Sequence, residues 1–203
     1  MRRDFRQELQ GDRCWDAAVQ ARYQAEGEPL EDCILQNREE LIRLCEFIEA
    51  QGVRSYLEIG LWTGRLLSTL HRLFAFDLVA GCDDGYAQRK GLPLTLPPET
   101  HLFKGNSASP DFEHFRRDLG AVDLVLIDGN HHYAGVRQDF EQQRRHPHRF
   151  LALHDITGAN RHTTGVARWW GEIEGGRKVE LLQPHGELGL DSSVMGIGIW
   201  SAG

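Results

Sequence analysis

The chain has 203 residues, about one ordinary domain, and is long enough to bury a core without a disulfide or metal staple. Its 23 basic and 30 acidic side chains leave a formal charge of −7, which argues against a general nucleic-acid or membrane-surface binder. With 40% hydrophobic and 26% charged residues it has a globular composition, and no run approaches the ~20 apolar residues of a membrane span.

The first fifty residues hold seven Arg and twelve acids. They contain neither the apolar core of a signal peptide nor the acid-poor composition of a transit peptide, so the expectation is a cytoplasmic protein with no targeting segment. Cys14, Cys33, Cys45 and Cys82 are spaced 19, 12 and 37 apart, with no Cys-x-x-Cys pair. Reduced thiols are expected, rather than a zinc knuckle or a redox motif.

Residues 1–35 are polar with scattered Trp, Tyr and Leu, the pattern of one or two short helices laid over something else. Asn37 then caps a helix, with Glu40 as capping-box partner. Leu41, Leu44, Cys45 and Ile48 recur at helical spacing, Gly52 closes the pattern, and Glu39 and Arg43 form an i,i+4 pair on the outer side. From Val53 short apolar runs alternate with helical stretches. The expected strands are Ser55–Ile59, Leu78–Cys82, His101–Lys104, Asp123–Ile127, Phe150–Leu153, Val179–Leu182 and Ser193–Trp200. The expected helices are Arg65–Phe76, Asp111–Leu119, Ala134–Arg145 and Gly165–Glu174. Gln88–Thr100, with three Pro, and Gln183–Ser192 read as loops. The alternation implies βαβ units and a mostly parallel sheet, and the continuously apolar runs suit strands covered on both faces. The last two strands fit an antiparallel edge pair. The chain divides into a helical arm, 1–52, and an α/β domain, 53–203. The first fifty residues carry −5 of the charge and the rest −2, so the larger unit is nearly neutral.

In such a sheet, ligands sit beyond the carboxyl ends of the strands. The first strand runs into Glu58-Ile-Gly60-Leu-Trp62-Thr-Gly64, two glycines four apart before a helix. The dinucleotide fingerprint and the P-loop lysine are absent. A carboxylate in the turn suits a cationic or neutral ligand better than a phosphate. The second strand ends in Asp83, placed to accept ribose hydroxyls, and the third in Asn106-Ser107, able to hydrogen-bond the same ligand. Trp62 could pack on it too. The fourth and fifth strands end in Asp128-Gly-Asn-His131-His132-Tyr133 and Leu-His154-Asp155. His131, three residues beyond Asp128, is the first candidate for a base and His132 the second. Tyr133, Val136 and Phe140 read as core, and Trp169 and Trp170 cannot both face inward on one helix.

The Glu-x-Gly-x-x-x-Gly turn resembles motif I of class I S-adenosylmethionine-dependent methyltransferases. Ile-Asp-Gly-x-His-x-Tyr, the Leu-His-Asp strand end and Gly165-Val166-x-Arg168-Trp169-Trp170 resemble methyltransferase family 24 and its cephalosporin-hydroxylase-like and sugar O-methyltransferase relatives. The resemblance runs from about Asn37 to Trp200 and departs at Gly64-Arg65-Leu66 and at Asn106. It implies a Rossmann-like α/β fold with a seven-stranded, mostly parallel sheet and helices on both faces. It further implies S-adenosylmethionine bound by Glu58, Gly60, Trp62, Gly64, Asp83, Asn106, Ser107 and Asp128, with His131 and Asp128 catalytic. In metal-dependent relatives the matching positions, here Asp128, His154 and Asp155, hold a divalent ion. Mg²⁺ would suit the carboxylates, and the imidazole admits Mn²⁺, Fe²⁺ or Zn²⁺. The expected activity is methyl transfer to a hydroxyl of a small molecule, with no nucleic-acid or membrane partner and with the arm covering the pocket or forming a homodimer. The alternatives are a non-catalytic S-adenosylmethionine-binding protein, a metal-dependent oxygenase of the cephalosporin-hydroxylase kind, and an N- or C-methyltransferase without metal.

Overall fold

The structure, a computed structural model, describes residues 3–27, 29–158, 161–182 and 195–203. The expected loop Gln183–Ser192, with His185, and the start of the expected strand Ser193–Trp200 lie outside the described residues.

The arm consists of α1 (Phe5–Glu8), β1 (Arg13–Cys14), α2 (Ala17–Glu26), β2 (Cys33–Ile34) and α3 (Arg38–Gln51). The sheet strands are β3 (Ser55–Ile59), β4 (Leu78–Asp83), β5 (His101–Lys104), β6 (Val122–Ile127), β7 (His148–His154), β8 (Arg177–Leu181) and β9 (Ile197–Ser201). Between them lie α4 (Arg65–Phe74), α5 (Tyr86–Arg89), α6 (Pro110–Asp118), α7 (Tyr133–Arg144) and α8 (Thr164–Glu172). The seven strands run in the order β5-β4-β3-β6-β7-β9-β8. β3 to β7 are parallel, and β9 lies antiparallel between β7 and β8.

The two-residue period of the strands sorts their side chains into two cores. Tyr56, Leu124 and Leu126 face a layer built from Phe5, Leu9, Leu41, Leu44, Ile48, Leu67 and Leu70. Leu57, Ile59, Val125 and Ile127 face Val136, Phe140, Val166, Trp169 and Trp170. The arm therefore closes one face of the sheet together with α4. Its register is held by the short parallel pair Arg13↔Cys33 and Cys14↔Ile34.

α3 starts and stops where side-chain chemistry requires. Asn37 Oδ1 accepts from the backbone N–H groups of Glu39 and Glu40, and Gly52 ends the helix in the left-handed region. Three expectations need correction. Glu39 pairs with Arg6 of α1 at 2.5 Å, not with Arg43, because the arm folds back over this face. Trp169 and Trp170 are both buried, since α8 sits in a corner. Trp169 meets Tyr133 and Phe140 edge-on, while Trp170 donates from Nε1 to Glu180 and packs on Gly198 of β9. Finally, a turn of helix, α5, begins the segment read as a loop.

Candidate functional site

β3 and β6 are neighbours, but their chain connections run to opposite edges of the sheet. At the carboxyl ends of β3, β4, β6 and β7 lies a cavity of about 1030 Å³, and Leu30 and residues 33–36 of the arm form part of its wall.

One end is the turn after β3. Gly60 has φ +91°, and a Cβ there would lie 2.3 Å from the carbonyl oxygen of Asp128. Gly64 has φ +77°, and a Cβ would lie 2.5 Å from the carbonyl oxygen of Thr95. Only glycine fits either place. Between them Trp62 itself takes φ +54°, a conformation that costs a residue with a Cβ roughly 1–2 kcal/mol. Asp83 ties this turn down. Its Oδ2 accepts from the backbone N–H of Leu61 at 2.8 Å and of Trp62 at 3.2 Å, and its Oδ1 accepts from Gly85 at 2.6 Å.

Glu58 is buried and receives a hydrogen bond from the Tyr56 hydroxyl at 2.7 Å. Burial, with Asp128 and Asp83 nearby, holds its carboxyl well above the usual range despite Tyr56 and His154. Asn106 and Ser107 line the cavity too, and the Asn106 side chain accepts from the Ala108 N–H. Behind Ser107 lies buried Asp139, raised by burial to about 6 and partly relieved by a hydrogen bond with that serine.

The other end is built from paired charges at the ends of β6 and β7. Asp128 Oδ1 lies 3.1 Å from His131 Nε2 and 3.2 Å from His154 Nδ1, while its Oδ2 accepts from Gln36 Nε2 at 2.9 Å. Asp155 Oδ2 lies 3.5 Å from His131 Nε2 and 3.9 Å from His154 Nδ1. Asp155 has φ +65°, so the chain bends sharply to aim this carboxylate.

Burial opposes every charge here, and the pairing overrides it in three cases. Asp128 is held below the usual carboxyl range by His154 and His131, and His131 is raised by Asp128 and Asp155. His154 is pushed up to about 10 by the same two carboxylates. Asp155 is the exception: burial and neighbouring Asp128 leave it raised. Ligand atoms of Asp128, His131 and Asp155 lie within 4.8 Å of one another, and two carboxylates with an imidazole suit a divalent cation.

The structure thus brings the sequence candidates together around one cavity, with two refinements. His131, read as the base, belongs to the compact ligand set, whereas His154 lies deeper between the two carboxylates. His132 is exposed at the N-cap of α7. Gln36, Thr63 and Arg65 also line the cavity, and none was singled out as a site residue from the sequence. Gln36 is 92 positions from Asp128, and no local pattern marks such a contact. Tyr56, by contrast, could have been paired with Glu58, since strand residues two apart share a face.

Residues 57–156 match the methyltransferase family 24 model, described as a methyltransferase domain. These residues form a methyltransferase domain.

Among solved structures, a putative caffeoyl-CoA O-methyltransferase from Staphylococcus aureus superposes with a TM-score of 0.62 at 15% identity, covering 98% of this chain and 97% of that one. An O-methyltransferase from Bacillus cereus, solved with S-adenosylhomocysteine, gives 0.57 at 13% identity over 99% and 92% of the two chains. The MycE methyltransferase of the mycinamycin biosynthetic pathway, solved with Mg, S-adenosylhomocysteine and mycinamycin VI, gives 0.52 at 18% identity over 79% of this chain and 48% of that one. No curated protein matches the sequence. The chain therefore has the Rossmann-like class I architecture over nearly its whole length.

Proposed function

We propose that the methyltransferase domain moves a methyl group from S-adenosylmethionine to a hydroxyl of a small-molecule acceptor. The observation that carries this reading is the division of one cavity into a glycine-turn end and a His/carboxylate end. The ligands of the Bacillus and mycinamycin enzymes support it.

On this reading Glu58, Gly60, Trp62, Gly64, Asp83, Asn106, Ser107 and Asp128 surround the methyl donor. Gly60 and Gly64 let the backbone pass close to it. Asp83 and Ser107 take its nucleoside hydroxyls and base, and the buried acid Glu58 lies near its positive sulfonium. Burial holds the Glu58 carboxyl above its usual range, so a cation beside it favours loss of its proton. Asp128 holds the His131 ring through Nε2, and the ring's other nitrogen, Nδ1, removes the acceptor proton. The remaining work is alignment, because an in-line methyl displacement depends on the approach of oxygen to carbon.

Asp128 and Asp155 would hold a divalent ion, with His154 as the third group. Such an ion supplies positive charge that favours the deprotonated hydroxyl. His131, 3.1 Å from Asp128 and 3.5 Å from Asp155, would then act on the proton beside that ion. Residues 1–52 act as an arm over the domain 53–203, in a cytoplasmic protein whose arm also offers a surface for a homodimer.

The experiment is transfer of label from S-[methyl-³H]adenosylmethionine to a panel of phenols, catechols and sugars, with Mg²⁺ and with a chelator. The expected result is label in an O-methyl ether and a strong loss on chelation. Label on nitrogen or carbon defeats the O-directed reading, and a chelator-insensitive rate defeats the metal.

A further inference from the structure

Among the described residues only two large apolar side chains are exposed, Tyr23 at 45% and Tyr86 at 52%, and both line the main cavity. Exposed aromatics scattered singly over a surface need no explanation, but two on the rim of one cavity do. Tyr86 tilts over Trp62 at the glycine-turn end, with ring centroids 6.0 Å apart. Tyr23 meets Trp15 edge-on at 5.7 Å, and both of these rings belong to the arm and face the same cavity.

The arm pair is fixed beside the charged end. The Trp15 backbone N–H is shared between the carbonyl oxygens of Ile34 at 2.9 Å and Gln36 at 3.0 Å. The Gln36 side chain in turn donates to Asp128 Oδ2. Tyr23 rides on α2, which Asp16 caps at one end and Gly27 closes at the other. Val19 is the sole buried residue of that helix, so its ring-bearing side is not committed to the core.

The chemistry of this wall selects among acceptors. Leu30, Ile34 and Leu35 continue it. Its polar side-chain groups are few: the Trp15 indole N–H, the Tyr23 hydroxyl and the Gln36 amide, whose Oε1 is buried without a partner. A sugar sends hydroxyls out around its whole ring, and most of them would lose water here without gaining a partner. A flat aromatic ring presents a face to one side chain and an edge to the other, as two rings set close to perpendicular require.

We infer that Trp15 and Tyr23 determine acceptor specificity by holding a planar aromatic ring beside the His/carboxylate end. The inference takes from the methyl-transfer reading only that this ring carries the hydroxyl to be methylated.

Calorimetry on the full chain, alone and saturated with S-adenosylhomocysteine, tests it with two probes. 2-Naphthol is planar, and trans-decahydro-2-naphthol has the same carbon skeleton and hydroxyl position but puckered, saturated rings. Wild type should bind 2-naphthol about fivefold more tightly than the saturated probe. Trp15→Leu and Tyr23→Ala should each remove most of that preference, and Trp15→Phe should restore it. Both should leave the saturated probe and S-adenosylhomocysteine within about twofold of wild type. Tyr23→Ala changes an exposed side chain, so it stays folded even if Trp15→Leu does not. Equal affinity of wild type for the two probes, or variants that lose both probes alike, overturns the aromatic selection. Wild-type protein that binds no S-adenosylhomocysteine overturns the methyl-donor reading instead, and the comparison of the probes on the protein alone still decides whether the arm holds a planar ring.

Discussion

The two ends of the cavity are made by different physics. At the turn after β3 the shape comes from backbone: two glycines without room for a Cβ, Trp62 in the left-handed region, and a carboxylate, Asp83, spent on holding three N–H groups. At the ends of β6 and β7 the shape comes from charge. Asp128 is gripped by two imidazoles and by an amide that reaches in from the arm. Among the described residues, the first end leaves Trp62 Nε1 and Thr63 Oγ1 buried without partners, whereas at the second every carboxylate is paired and only His154 Nε2 and Gln36 Oε1 are left over. A ligand therefore adds contacts at one end and must displace or reorganise them at the other.

The largest expected effect breaks the charged end. His131→Ala should lower methyl transfer by about 10²–10⁴, the range for loss of a general base. S-adenosylhomocysteine affinity should stay within about twofold, as should Mn²⁺ affinity if His131 is the base and not a ligand. Loss of Mn²⁺ binding in this variant would reassign His131 to the metal. Because Asp128 and Asp155 raise His131, the wild-type rate should climb with pH beyond the ordinary imidazole value of 6.5, as the base loses its proton.

Asp128→Ala removes the shared partner of His131 and His154. It should cost about 3–5 kcal/mol in chemical denaturation, because a buried imidazolium loses a neighbour. It should also abolish Mn²⁺ binding.

The backbone end is broken by Gly60→Ala. The new methyl would meet the Asp128 carbonyl at 2.3 Å, so a loss of about 3 kcal/mol or more is expected. Gly120→Ala is the control, since φ is again positive at +70° but nothing lies within 4 Å. It should cost only about 1–2 kcal/mol. Equal losses would show that conformation alone, without the close approach, explains the glycine turn.

The smallest effect sharpens the nucleoside end. Asp139 is raised from 3.8 to about 6 by burial. Between those values the folded protein keeps a proton that the unfolded chain releases, so its stabilising contribution is complete below about pH 4 and is lost as pH rises through 6. Asp139→Asn carries no such penalty. It should be more stable than wild type at pH 8, by at most about 3 kcal/mol, with the gain vanishing near pH 4. A constant difference across pH would place the effect in packing.

Much of this was legible in the sequence because parallel strands buried on both faces read as uninterrupted apolar runs. Leu124–Ile127 and Leu151–Leu153 could hardly be anything else. The site was legible where chemistry sits just beyond a strand end, as at Glu58–Gly64, Asp128–His131 and His154–Asp155. The arm was harder to read. Two-residue strands such as β1 and β2 have no period to detect, and the partners of Glu39 and Asp128 come from segments whose local sequence carries no trace of them. Trp169 and Trp170 misled for the same reason. An isolated helix has one inner face, but α8 packs against α7 on one side and the β8–β9 edge on the other.

The central claim is that the glycine-turn end of this cavity holds the adenosyl amino acid. Titration of wild-type protein with S-adenosylhomocysteine by calorimetry tests it most directly, with Gly64→Val as the matched variant in which a side chain fills the turn. Saturable one-to-one binding that the variant loses is the predicted result. No heat of binding at millimolar ligand, or equal binding by the variant, would contradict the account.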